Sequence, residues 1–201
     1  MSKPDLDISD ATVRRAVVIV ASLNLAYFGV EFTVALAIHS VSLFADSVDF
    51  LEDAAVNFLI FVALAWTATR RATIGKLLAI ILVIPGLAFL WALWNKLQHP
   101  LPPEPLQLGI TGVGALIVNL ICAAVLVRYR HQRGSLTKAA FLSARNDAYA
   151  NLAIIAAGVL TAFFPSVWPD VVVGLGIAFM NADAAREVWQ AAHQEALRAK
   201  A

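Results

Sequence analysis

Apolar residues fall in six long runs separated by short polar or proline-containing joints. The runs cover roughly 14–38, 42–66, 74–97, 107–130, 138–163 and 169–191. As helices rising about 1.5 Å per residue, each is long enough to cross about 30 Å of hydrocarbon. The first joint, Ile38-His39-Ser40, is so short that the first two helices must form a tight antiparallel hairpin. The second carries Arg70 and Arg71, and the third, Gln98 to Pro105, is proline-rich and cannot continue a helix. The fourth, Tyr129 to Thr137, is basic, and the fifth centres on Pro165 and Trp168-Pro169. No joint is long enough to divide the chain. The pattern predicts an all-α membrane protein: six transmembrane helices in a single transmembrane domain spanning residues 1–201.

One run breaks the apolar rule. Asp46, Asp49, Glu52 and Asp53 stand in the first half of the second span, ahead of the uncharged run from Phe58 to Trp66. At 100° per residue, Asp46, Asp49, Asp53 and Asn57 fall at about 0°, −60°, −20° and +20°, a single narrow polar stripe, and Glu52 lies about 100° from Asp53. An acid near the bilayer centre costs roughly 2.5–3.5 kcal/mol on insertion scales, so it marks a functional position by default. Stacked carboxylates also repel one another and call for a cation, either a proton or a metal ion.

Composition agrees with the membrane class: 60% of the 201 residues are hydrophobic, 14% are charged, and mean hydropathy is +0.75. A net charge of +1 gives no global signal for nucleic acid, and the single cysteine, Cys122, excludes an internal disulfide or a cysteine-rich metal site. The polar, acidic stretch from Met1 to Asp10 does not resemble a cleaved signal peptide, and the first span carries Glu31. Thirteen of the 15 Lys and Arg lie on one side of the six-span topology; Lys96 alone lies on the other, and Arg145 is inside a span. That asymmetry predicts cytoplasmic termini, with Trp91, Trp94 and Trp168 near the outer interface and Trp66 near the inner one.

The fifth span repeats part of the second. Asp53-Ala54-Ala55-Val56-Asn57 and Asp147-Ala148-Tyr149-Ala150-Asn151 share D-A-x-x-N at a spacing of 94, and Asn24-Leu25 and Asn119-Leu120 recur at 95. With three spans per half, such repeats are inverted, as in many transporters, and Asp53 and Asp147 meet near mid-membrane. Asp49 and Asp53, four apart, can grip one ion from one helix face, and Asp147 offers a matching face with Ser143 and Asn151 a turn to either side. Oxygen ligands on two helices suit a divalent cation. No His or Cys lies on these stripes, so Mn2+, Fe2+, Zn2+ and Cd2+ remain open.

The second-span motif, Ser40-Val-Ser-Leu-Phe-Ala-Asp46-Ser-Val-Asp49-Phe-Leu-Glu52-Asp53, resembles that of the cation diffusion facilitator family, exporters of divalent transition metals commonly in exchange for protons. Asn24 and Glu31 resemble its first-helix pattern, and Pro169-Asp170-Val-Val-Val-Gly174-Leu-Gly176 the start of its last helix. The resemblance covers all six spans. It implies a metal site of Asp49, Asp53 and Asp147, with Ser143 at the other fifth-helix ligand position, usually His or Asp; Ser143 with water completes the shell, or Asn146 turns in. It also implies that the family's cytoplasmic carboxy-terminal domain is absent, because nine residues follow Ala192.

The remaining polar residues divide between structural and functional readings. His39 and His99 read as surface histidines, and His131 and His193 lie in basic cytoplasmic segments. Cys122 reads as core filler. Glu31, Asn24 and Asp46 read either as partners of the ligands or proton acceptors, or as structural hydrogen bonders. Arg145 is expected to pair with a carboxylate such as Glu52, and Asn181, Asp183 and Arg186 to make a polar helix contact. The expectation is a non-enzymatic, multi-pass plasma (inner) membrane transporter exporting a divalent cation, Zn2+ or Cd2+ first and Mn2+ or Fe2+ as the rival, by antiport with protons. It is expected to sit in lipid as a homodimer, with no nucleic-acid partner. A cation channel with an acidic ring and a non-transporting scaffold are the competing classes.

Overall fold

The computed structural model describes residues 10–63, 86–127 and 135–181, with the backbone alone at 10–11, 59–60, 62–63 and 135–145. Those residues form six helical segments and no strand. They are α1 (Asp10–Ala37), α2 (Val41–Ala63), α3 (86–98), α4 (Pro105–Leu126), α5 (Ser135–Phe163) and α6 (Trp168–Asn181). The segments sit where the six apolar runs predict helices. The second joint and residues 129–134 of the fourth, with Arg70, Arg71, His131 and Arg133, lie outside the described residues, as do Trp66, Asp183, Arg186 and His193. Ser135 to Thr137 of the fourth joint already belong to α5.

The α1–α2 turn explains the tight hairpin. His39 adopts a left-handed backbone (φ 53°), and the Ser40 amide donates back to the Ala35 carbonyl at 2.9 Å, the bond that closes a helix when the residue after the cap is left-handed. Ser40 also begins the next helix, its Oγ accepting from the Leu43 amide at 3.2 Å as an N-cap. A single residue thus ends one helix and starts the other. At α4 the proline-rich joint does something the sequence alone did not announce. Pro105 occupies the first helical turn, and the Glu104 carboxylate accepts from the Leu106 and Gln107 amides at 3.1 and 2.5 Å.

Two antiparallel hairpins, α1–α2 and α4–α5, pack side by side, with α1 against α4 and α2 against α5. In the second hairpin, a side chain on Gly158 would meet the Gly109 amide nitrogen at 3.1 Å and the Pro105 carbonyl at 3.2 Å, and one on Gly112 would meet Ile154 at 3.0 Å. Backbones that close require glycine. α6 starts against the start of α2, where Gly174 faces the Val41 and Ser42 backbone. Because α5 ends just before α6 begins, α5 ends where α2 starts, so the two run antiparallel.

The surface is inverted relative to a water-soluble domain. Asn24, Glu31, Asp46, Asn57, Asn151 and Asp170 are fully buried, whereas Leu87, Trp91, Trp94, Phe163, Phe164 and Phe179 stand out on the outside. An apolar exterior over a polar interior belongs in lipid. Among the described residues, only Thr12–Ala37 and Pro105–Leu126 qualify as membrane spans by length and composition alone. α2 falls short because its four carboxylates defeat any hydropathy test, and the described part of α6 is only 14 residues long, Trp168–Asn181.

Candidate metal centre

Among the described residues the start of α2 is the most enclosed stretch: every residue from Ser40 to Phe50 is buried. Leu43, Phe44, Ala45 and Val48 pack with Ala35, Phe89, Ile154 and Ile177 in one apolar core. The polar stripe of α2 therefore opens inward, onto α1, α5 and α6. Leu51, Glu52 and Asp53 are only partly covered, and Val56 and Phe58 are exposed. Enclosure thus decreases along α2 from the hairpin-turn end of the bundle toward the opposite end.

Along that stripe each acid has its own neighbours. Asp49 accepts from the Asn181 side-chain amide, so α6 reaches the acidic layer. Asp53 faces the Asn24 amide of α1 at 3.5 Å. α5 packs against α2 and places Asp147 beside Asp53, with Asp49 close by in the same acidic layer. The antiparallel pair α2 and α5 thus brings Asp53 and Asp147 together, as the sequence repeat predicts. Among the described residues, however, no three His, Cys, Asp or Glu side chains converge as a metal-holding group. The Ser143 and Arg145 side chains lie outside the described residues, Asn146 is exposed, and Glu52 is partly buried.

The two copies of D-A-x-x-N form the same local structure. Asn57 Nδ2 donates to the Asp53 carbonyl at 2.8 Å, and Asn151 Nδ2 to the Asp147 carbonyl at 2.7 Å. A carbonyl can only accept, so each amide nitrogen must face it and each Oδ1 must point away. Both Oδ1 atoms are buried, and among the described residues no donor reaches either.

Glu31 and Asp46 form a second layer nearer the hairpin turn. Both are fully buried, and among the described residues no donor reaches any of their four carboxylate oxygens. The two side chains stand close enough for one carboxyl to donate to the other when it carries a proton. Their neighbour Tyr27 sends its hydroxyl to the Thr111 carbonyl of α4 at 2.6 Å. Asn24 also accepts from the Cys122 thiol at 3.4 Å, so the buried cysteine is packed among α1 and α4 side chains and holds a polar partner too.

A cluster that the sequence reading passed over closes the hairpin-turn end. Asp170 accepts from Ser40 Oγ (2.7 Å), Ser42 Oγ (2.6 Å) and the Val41 and Ser42 amides (2.9 and 3.0 Å), while Lys96 lies 3.4 Å away. Lys96 also donates to the His39 carbonyl at 2.7 Å. The sequence signal was there: Ser40-x-Ser42 opening an apolar run is an N-cap pattern, and Lys96 is a cation two residues after Trp94 at the outer end of its span. His39 and His99 are exposed, in line with surface histidines.

Carboxylates and amides carried at mid-helix, inside a bundle whose exterior is apolar, define a polytopic membrane protein that handles cations. The sequence model of the cation efflux transmembrane domain matches residues 17–192. The chain belongs to that family, the cation diffusion facilitators, and is a membrane transporter of divalent metal cations. No curated protein matches the chain in sequence.

Proposed function

We propose that this transporter exports Zn2+ or Cd2+ in exchange for protons, by alternating access around Asp49, Asp53 and Asp147 with Ser143 completing the ligand set. The observation that carries the reading is the meeting of Asp53 and Asp147 from two antiparallel helices inside the bundle. Two carboxylates on separate helices release a bound ion when the helices part, and each recovers a proton as the metal leaves because the pair repels itself. Three carboxylates with a hydroxyl are a set that a borderline ion accepts, which supports Zn2+ or Cd2+, with Mn2+ or Fe2+ the rival for a set without His. The enclosure of residues 40–50 against the partial cover of Leu51, Glu52 and Asp53 supports a state closed at the hairpin-turn end. The six helices are read as six crossings in a plasma membrane, with the termini cytoplasmic on the strength of the Lys and Arg asymmetry. The active unit is read as a homodimer.

Flux into proteoliposomes, with a metal indicator and a pH dye inside, tests this. Asp53→Ala and Asp147→Ala are expected to abolish metal flux and the coupled proton flux while the protein stays folded. Near-normal flux in either variant would remove the site.

A further inference from the structure

Among the buried side-chain oxygens that no described donor reaches, two are neutral amide oxygens that follow an acid of the proposed site by one helical turn. Asn57 Oδ1 and Asn151 Oδ1 belong to residues 1% and 0% exposed, and among the described residues neither has a donor, while their own Nδ2 atoms are bonded to the Asp53 and Asp147 carbonyls. A buried amide oxygen without a partner costs about 1–3 kcal/mol, so it is retained where something intermittently occupies it. An unfilled amide oxygen is a hard, neutral ligand for a cation.

Their placement is more informative than their burial. Each sits one helical turn, about 5.4 Å, beyond its aspartate along its own chain. Because α2 and α5 run antiparallel, those turns lead in opposite directions from the Asp53–Asp147 meeting point. Asn57 lies on the side away from the hairpin turn, and Asn151 on the side toward it. We infer that Asn57 Oδ1 and Asn151 Oδ1 are transient ligands for the divalent cation, flanking the carboxylate site on the two sides of the membrane midplane. Asn57 takes the ion over from water on the approach side. Asn151 takes it over from the carboxylates on the release side. A neutral oxygen suits both steps, since it replaces a lost water ligand without adding a charge that would trap the ion. The inference rests on the carboxylate site proposed above.

The test uses the full chain in proteoliposomes, with Zn2+ and Cd2+ as probes supplied from either side. Asn57→Leu and Asn151→Leu remove the oxygen at similar volume. Supplied from the approach side, Asn57→Leu is expected to raise KM about tenfold with a smaller change in kcat, and Asn151→Leu to lower kcat with little change in KM, the lower end of what support for metal ligands is worth. Supplied from the other side, the two phenotypes are expected to exchange. Asn57→Asp and Asn151→Asp, which keep an oxygen but add a charge, are expected to recover ion capture at the step concerned while slowing turnover. A direction-independent loss that the Asp variants do not rescue, or normal kinetics in both Leu variants, would overturn the inference. Normal flux in Asp53→Ala or Asp147→Ala would remove the carboxylate site and the inference with it, so the two failures are told apart.

Discussion

Lys96 and Asp170, 74 positions apart in the chain, form a buried ion pair at 3.4 Å that ties α3 and α6 to the first turn of α2. Asp170 carries the load, because it also accepts four hydrogen bonds from Ser40, Val41 and Ser42. Its position at a helix start adds a favourable dipole interaction. Removing one member of a buried pair costs about 3–5 kcal/mol when the other is left stranded. Asp170→Ala is expected to reach that range, since it strands Lys96 and the α2 start together. Lys96→Met is expected to cost less, because Asp170 keeps its other donors. Thermal unfolding in detergent checks the order; equal losses would contradict it.

Gly174 and Gly176 offer a matched pair two residues apart. An added methyl at Gly174 would sit 2.9 Å from the Val41 carbonyl carbon and 3.0 Å from the Ser42 nitrogen, both backbone atoms that cannot swing aside. Gly176 has nothing within 4 Å. Gly174→Ala is therefore expected to destabilise by about 1–3 kcal/mol as overpacking does. Gly176→Ala is expected to be neutral or slightly stabilising, since alanine suits a helix better than glycine. Melting temperatures of the two variants decide it.

Ser143 tests the choice of metal. A serine binds borderline ions more weakly than imidazole, which favours Zn2+ over harder ions. Ser143→His is expected to tighten Zn2+ relative to Mn2+ by about tenfold, or roughly 1.4 kcal/mol. Calorimetry with both ions before and after the change reads the ratio. A shift with Asn146→His in place of Ser143→His would assign the fourth ligand to Asn146.

The exposed aromatic and aliphatic face of α3, with Leu87, Leu90, Trp91 and Trp94, and that of α6, with Val172 and Phe179, support a homodimer through these helices. Single cysteines along α3, in a Cys122→Ser background, are expected to cross-link at a helical period in lipid. Buried Cys122 is itself expected to stay unreactive. Absence of any dimer in both detergent and lipid would defeat the proposal.

Much of the helical frame was legible in the chain because apolar runs and proline or glycine joints act locally. The hairpin at His39 followed from the length of the joint, and the meeting of Asp53 and Asp147 from a repeated D-A-x-x-N. What escaped the reading was non-local. Asp170 sits in a motif that reads as the start of a helix, and nothing in residues 165–176 says that its carboxylate will cap a helix that begins 129 residues earlier. Asn181 likewise reads as a helix contact, and only packing brings it to Asp49. The orphaned oxygens of Asn57 and Asn151 could not be read at all, since an asparagine's satisfaction depends on which neighbours arrive.

The three-residue joint between α1 and α2 also governs how the chain is inserted. A solitary α2 would have to carry Asp46, Asp49, Glu52 and Asp53 into hydrocarbon, at about 2.5–3.5 kcal/mol for each charged group near the centre. With only Ile38, His39 and Ser40 between the helices, α2 cannot wait in water while α1 crosses. The hairpin has to cross as one body, with Asn24 and Glu31 already beside the acids, so the partners of the transport site are delivered at the moment of biogenesis.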